Sequence, residues 1–193
     1  MKRSYFFARL VLAILSAAIC ANAQAAGSAQ QKPTFAAVYD RTLSSVEKEV
    51  VEAAEAMPED KFNFAPSSPG DFKGVRTYAM QIKHIAAVNY MLGAALMQEK
   101  PPLDIGGESG PASMTSKADI VKFLKDSFAY AHKSVATVNE SNILEQVKSP
   151  FGDHPLTRLS LINIMISHPF DHYGQMVVYL RMNGIIPPAS RGQ

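Results

Sequence analysis

Apolar residues recur at three- and four-residue steps over four long stretches of this chain, the period of an amphipathic α-helix. From about Thr34 to Met57 they are Phe35, Val38, Leu43, Val46, Val50, Ala53 and Ala54. Pro58 ends that run, because proline disfavours helix in the residue before it. The second stretch, about Val75 to Gln98, is apolar around much of its circumference. Tyr78, Ile82, Ile85, Ala86, Asn89, Leu92 and Leu96 make one face, and Met80, His84, Val88, Met91 and Ala95 a second stripe. A helix apolar over so wide an arc is buried against several neighbours. The third stretch starts near Thr115 or Ser116, with Asp119 placed for a capping box, and runs to about Asn139. Its inward positions are Ile120, Phe123, Leu124, Ser127, Phe128, Ala131, Val135 and Val138. The fourth runs from about Pro155 to Asn183, with Gly184 as its C-terminal cap and Pro187-Pro188 barring continuation.

Proline and glycine punctuate the connections. Residues Glu59 to Lys73 hold Pro66, Pro69 and Gly70, and Lys100 to Ser113 hold Pro101, Pro102, Gly106, Gly107, Gly110 and Pro111. No segment alternates polar and apolar residues in the way that marks strands. An all-α fold follows, a four-helix bundle over residues 34–193, with the long second connection crossing the bundle end or side.

The first 25 residues follow a different order. Lys2, Arg3 and Arg9 precede the apolar run from Leu10 to Ala21, and Ala21-Asn22-Ala23 or Ala23-Gln24-Ala25 has signal-peptidase spacing. This reads as a secretory signal peptide over residues 1–25. The run is too short for a membrane anchor, and Ile19 before Cys20 is too bulky for a lipoprotein cleavage site. Residues 26–33 read as a flexible tether. The expected location is the periplasm or outside the cell, with no membrane span after cleavage.

Composition then takes on a different meaning. The full chain has 193 residues, 47% of them hydrophobic and 19% charged, with one cysteine and a net charge of +2. Such a balance excludes a disordered chain and a dedicated nucleic-acid binder. Cleavage removes three basic residues, no acid and the single cysteine, so the mature chain of 168 residues carries a net charge of −1. A cysteine-free protein in an oxidising compartment depends on its core for stability, not on disulfides.

The sharpest local feature is His168-Pro-Phe-Asp-His172. Histidines four apart share one helix face and can present two imidazoles to one metal ion. Their neighbours at helical spacing, Leu161, Met165, Met176 and Tyr179, are apolar, which turns both rings inward. Metal ligation and a plain histidine pair in core or surface both fit this spacing. There is no HExxH zinc-protease motif and no Glu-x-x-His motif of a di-iron bundle. A third ligand must come from His84, His132 or His154. His84 is favoured because it sits in the apolar segment Gln81 to Val88, where an imidazole without a partner is costly to bury. His132 beside Lys133 reads as solvated, and His154 as a turn residue. The direction of Asn89 is open, Asp171 reads as a solvent-facing acid sooner than as a partner that orients an imidazole, and Tyr173, Gln175 and Arg181 as packing or pairing residues. No general base is assigned, and the scattered methionines read as core filling.

Three features together resemble the DinB-like superfamily, which also includes bacillithiol transferases and mycothiol-dependent maleylpyruvate isomerases. They are Tyr78-Ala-Met-Gln-Ile-Lys-His84-Ile-Ala-Ala-Val-Asn89, the block from His168 through Gly174-Gln175, Leu180-Arg181 and Gly184 to Pro187-Pro188, and Thr157-Arg158-Leu159 before it. The resemblance spans essentially the whole mature chain. It implies an up-down-down-up bundle holding one divalent ion (Zn, Ni, Fe or Mn) through His84, His168 and His172. The chain departs from the pattern at Tyr173, where many members carry a basic residue or histidine, and at Pro169, which sets a helix-disrupting residue beside a ligand.

The resemblance implies a metal-dependent hydrolase or thiol-dependent transferase of the cell envelope, acting on a small molecule of unknown identity. Its thiol would be a cosubstrate, since the mature chain has no cysteine. The alternative is a non-enzymatic bundle that binds a metal or apolar ligand, or pairs with a second copy as a homodimer.

Overall fold

In a computed structural model, residues 32–66 and 74–192 are described; the signal-peptide reading and most of the tether lie outside them. Four helices make the fold: α1 (Phe35–Ala56), α2 (Tyr78–Met97), α3 (Lys117–Val135) and α4 (Arg158–Met182). Each begins on a hydroxyl cap. The side chains of Thr34, Thr77, Ser116 and Thr157 accept from the backbone N–H three residues on, satisfying a donor the first turn leaves open. Ser116 Oγ also donates to Asp119 Oδ2 at 2.6 Å, so Asp119 takes part in the cap of α3 through the serine hydroxyl. The caps place the starts of α2 and α4 later than hydrophobic spacing suggests, at Tyr78 and Arg158. Gly184 closes α4 as expected, with φ +72° and the Ile185 N–H reaching back to the Leu180 carbonyl.

Contacts between helices fix the topology. Gln81 meets His172, His84 meets His168, and the Arg158 guanidinium reaches the Leu96 carbonyl, so α2 and α4 are antiparallel. Asn89 meets Ser127, and Tyr130 reaches Glu99, so α2 and α3 are parallel. Asp40 pairs with His132, and Glu55 with Lys125, so α1 opposes α3. The order is therefore up-down-down-up, and residues 98–116 form the crossover that parallel α2 and α3 require.

The core runs through all four helices, with Leu43, Val46, Val50, Ile82, Ile85, Leu92, Leu124, Phe128, Leu161 and Ile162 fully buried. Phe35 and Val38 keep the α1 periodicity but are exposed, and the buried stripe of α1 begins at Leu43. The Tyr130 ring of α3 lies directly on the α2 backbone at Gly93, where a Cβ would come within 2.8 Å of it. The crossover is laid onto α2 in the same way. A Cβ on Gly110 would lie 2.7 Å from Lys83 Cβ, and Lys83 Nζ donates to the Pro111 and Met114 carbonyls at 3.1 and 3.2 Å. A two-residue ribbon absent from the sequence reading, β1 (Gln146–Val147) against β2 (Leu156–Thr157), leads into α4. Ribbons this short show no alternation to detect.

Candidate metal centre

His84 projects from the second turn of α2, and His168 and His172 project from the middle of α4. Antiparallel packing brings the three rings together, with centroids 4.6 to 4.8 Å apart. One ring nitrogen from each lies within 4.8 Å of the other two. His84 and His172 are buried and His168 half-buried. Helix α4 continues through Pro169, which is itself buried. Proline at this position removes the donor that would reach the Met165 carbonyl, yet His168 still faces the cluster.

Hydrogen bonds set the direction of two imidazoles. The Nδ1–H of His84 donates to the Glu108 carbonyl at 2.6 Å, a contact supplied by the crossover loop. The Nδ1–H of His172 donates to Gln81 Oε1 at 2.5 Å. Each bond leaves Nε2 as the bare lone pair that is free to ligate. His84 Nε2 and His168 Nε2 stand 3.0 Å apart. His168 Nδ1 is buried without a hydrogen-bond partner.

Electrostatics keep the cluster neutral. Burial, then the neighbouring imidazoles His172 and His84, push His168 down to about 3. Burial and His84 push His172 down to about 4, against a smaller opposing effect of Asp171. His84 is also lowered, chiefly by burial, with the Glu108 carbonyl opposing it. The positive charge of half-buried Arg76, just before α2, works against protonation of all three. Three neutral nitrogen donors in a buried cluster fit a transition-metal divalent ion such as zinc, nickel or iron better than an oxygen-seeking ion such as magnesium or calcium.

The remaining polar residues sort clearly. Asn89 is buried against α3, donating to Ser127 Oγ at 3.2 Å, and so lies away from the histidines. His154 is exposed in the turn before α4. His132 differs from the solvated residue expected: it is half-buried between Asp40 Oδ1 at 2.6 Å and Glu47 Oε2 at 3.0 Å, bridging α3 to α1. Tyr173 packs on the core and Arg181 is exposed. Gln175 takes the pairing option: it accepts from Gln81 Nε2 at 2.8 Å and donates to Asp171 Oδ2 at 3.0 Å.

Sequence reasoning missed Gln81, Glu108 and Arg76. Gln81 had a signal: a polar side chain one turn before His84 in an apolar helix needs a partner. Glu108 acts through its backbone carbonyl and Arg76 from a loop, and neither position leaves a local pattern. A cleft of about 760 Å³ opens farther along α2, lined by Met91, Ala95, Lys100, Val147, Lys148 and Pro150 among others, and none of the three histidines lines it.

Fold and cluster together define a class, four-helix bundles with an inward-facing group of three imidazoles. The chain belongs to the DinB superfamily, whose sequence pattern matches residues 42–176 and so includes all three histidines. Two solved structures are similar. A DinB-like protein from Bacillus cereus superposes with a TM-score of 0.64 at 15% identity, covering 81% of this chain and 97% of that one. Another from Bacillus subtilis gives a TM-score of 0.58 at 14% identity, covering 76% and 92%. At such identities the likeness is one of fold. No curated protein sequence matches the chain. No helix among the described residues is long and apolar enough to cross a membrane.

Proposed function

We propose that this protein is an exported DinB-type metalloprotein of the cell envelope, binding one divalent ion (Zn, Ni, Fe or Mn) through His84, His168 and His172 and using it in hydrolysis or thiol-dependent transfer. The observation carrying this reading is the convergence of three neutral imidazoles, two of them with Nδ1 already committed to an oxygen acceptor. Three protein ligands suit a catalytic site, which keeps a position open for a substrate atom or water, better than a closed structural one. When bound, the ion would supply Lewis acidity, polarising a carbonyl, acidifying water or holding a thiolate.

The chain's own residues do the rest. Burial keeps the imidazoles deprotonated and ready to ligate near neutral pH. The Glu108 carbonyl and Gln81 hold the His84 and His172 rings in place. Arg76 sets a positive field beside the cluster, which favours a substrate with negative charge near its reacting group. After removal of residues 1–25 no cysteine remains, so any thiol enters with the substrate. Export rests on the positively charged start, apolar run and small-residue cleavage positions of residues 1–25.

A second reading, a non-enzymatic bundle that binds metal or an apolar ligand or forms a homodimer, is favoured by the separation of the 760 Å³ cleft from the histidines. The metal-loaded protein and its His168→Ala variant, screened against activated esters and thiol adducts, separate the two. The enzyme reading expects metal-dependent turnover by the native protein that disappears in the variant. Metal loss that lowers the melting temperature, with no turnover of any compound in the native protein, would support the non-enzymatic bundle instead.

A further inference from the structure

His172 is connected to the protein surface by an unbroken line of hydrogen bonds with a fixed polarity. Its Nδ1 lies 2.5 Å from Gln81 Oε1, Gln81 Nε2 lies 2.8 Å from Gln175 Oε1, and Gln175 Nε2 lies 3.0 Å from Asp171 Oδ2. Gln81 is buried, Gln175 half-buried and Asp171 exposed. Only the last member lacks choice. An ionised carboxylate accepts and cannot donate, whereas a carboxamide can turn either end toward a neighbour, and a neutral imidazole can carry its proton on either nitrogen.

We infer that Asp171 sets the tautomer and ring orientation of His172 through Gln175 and Gln81, making Gln81 and Asp171 positioning residues of the three-histidine site. This rests on the reading of that site as a metal centre. The carboxylate requires the Gln175 NH₂ to face it, which turns the Gln175 oxygen toward Gln81. Gln81 must then present its NH₂ to Gln175 and its oxygen to His172. The imidazole can meet that oxygen only with Nδ1–H, and Nε2 is left bare toward His84 and His168. Reversing any one carboxamide would place two acceptors or two donors in contact. The direct carboxylate–imidazole pair that commonly orients a metal-ligating histidine is thus spread over two amides and two helices, α2 and α4. Adjacent residues on a helix differ by about 100° in direction. Asp171 therefore cannot face the His172 ring directly, but reaches it through Gln175, one turn on.

Two readouts test this. In the metal-free protein, long-range ¹⁵N–¹H correlation of the histidine rings at neutral pH should show His172 protonated on Nδ1, and Asp171→Ala should give a mixture of tautomers. Zn(II) affinity, measured by competition with a chromophoric chelator, should fall about 10- to 100-fold in Gln81→Leu, the usual cost of losing such a partner. Gln81→Glu, which keeps an oxygen acceptor, should restore binding. Asp171 is exposed, so its variant tests the line of bonds even if Gln81→Leu does not fold. An Nε2–H tautomer in the native protein, or no change on Asp171→Ala, overturns the inference, as does unchanged Zn(II) affinity in a folded Gln81→Leu. If the native protein takes up no Zn(II) but the tautomer responds to Asp171, the metal reading fails and the control of His172 by Asp171 stands.

Discussion

Three imidazoles held neutral inside a bundle make stability depend on pH in a definite sense. His168 and His172 have folded pKa values lowered to about 3 and about 4, against about 6.5 for an unfolded histidine. Below about 6.5 the unfolded chain therefore binds protons that the folded chain refuses, and stability falls with pH until the folded values are reached. The melting temperature of the metal-free protein should drop between pH 7 and pH 5, and His172→Gln should lose part of that slope. A flat profile would contradict the buried, neutral cluster. His84 was legible in the sequence because an imidazole amid apolar residues needs a partner. His168 and His172 were legible because four-residue spacing shares a face. Asp171 was legible as a solvent-facing acid, with the orienting of an imidazole as the other option; the bonds that link it to His172 run through Gln175 and Gln81, and bonds between helices leave no trace in local spacing.

At the scale of elements, hydrophobic period and proline placement located all four helices. The exact ends depended on hydroxyl caps at Thr77 and Thr157, which the apolar pattern could not separate from the preceding loop residues. Val138 kept the α3 periodicity and is buried, although α3 ends at Val135, because a turn carries it back onto the core. The seating of the Tyr130 ring on Gly93 was invisible, since glycine in a helix gives no sign of what packs against it. Gly93→Ala should cost about 1–3 kcal/mol, the usual penalty for overfilling a packed contact, because its methyl group would meet the Tyr130 ring at 2.8 Å. Urea denaturation checks this. A variant as stable as the native protein would mean that Tyr130 moves aside freely. The crossover, read from its glycines and prolines as a long connection, also supplies the Glu108 carbonyl that orients His84.

For the whole molecule, parallel α2 and α3 force a long crossover, and antiparallel α2 and α4 place His84 opposite His168 and His172. Topology therefore assembles the site from one residue on one helix and two on another. Family membership and fold were legible because the helix-two histidine, the threonine-arginine helix entry and the closing motif together make a specific pattern across the chain. Substrate and reaction were not legible, because neither the apolar period nor the histidine spacing says what would meet the cluster, and a loop residue such as Arg76 carries no spacing signal. Every functional reading of the site rests on His84, His168 and His172 holding one divalent ion. Elemental mass spectrometry of protein purified without an affinity tag tests it most directly, alongside folded His84→Ala and His172→Ala variants. The expected result is about one transition-metal ion per native chain, as a single three-ligand site requires, and loss of most of it in each variant. Metal content unchanged in both variants, or absent from native protein supplied with Zn(II), would contradict it.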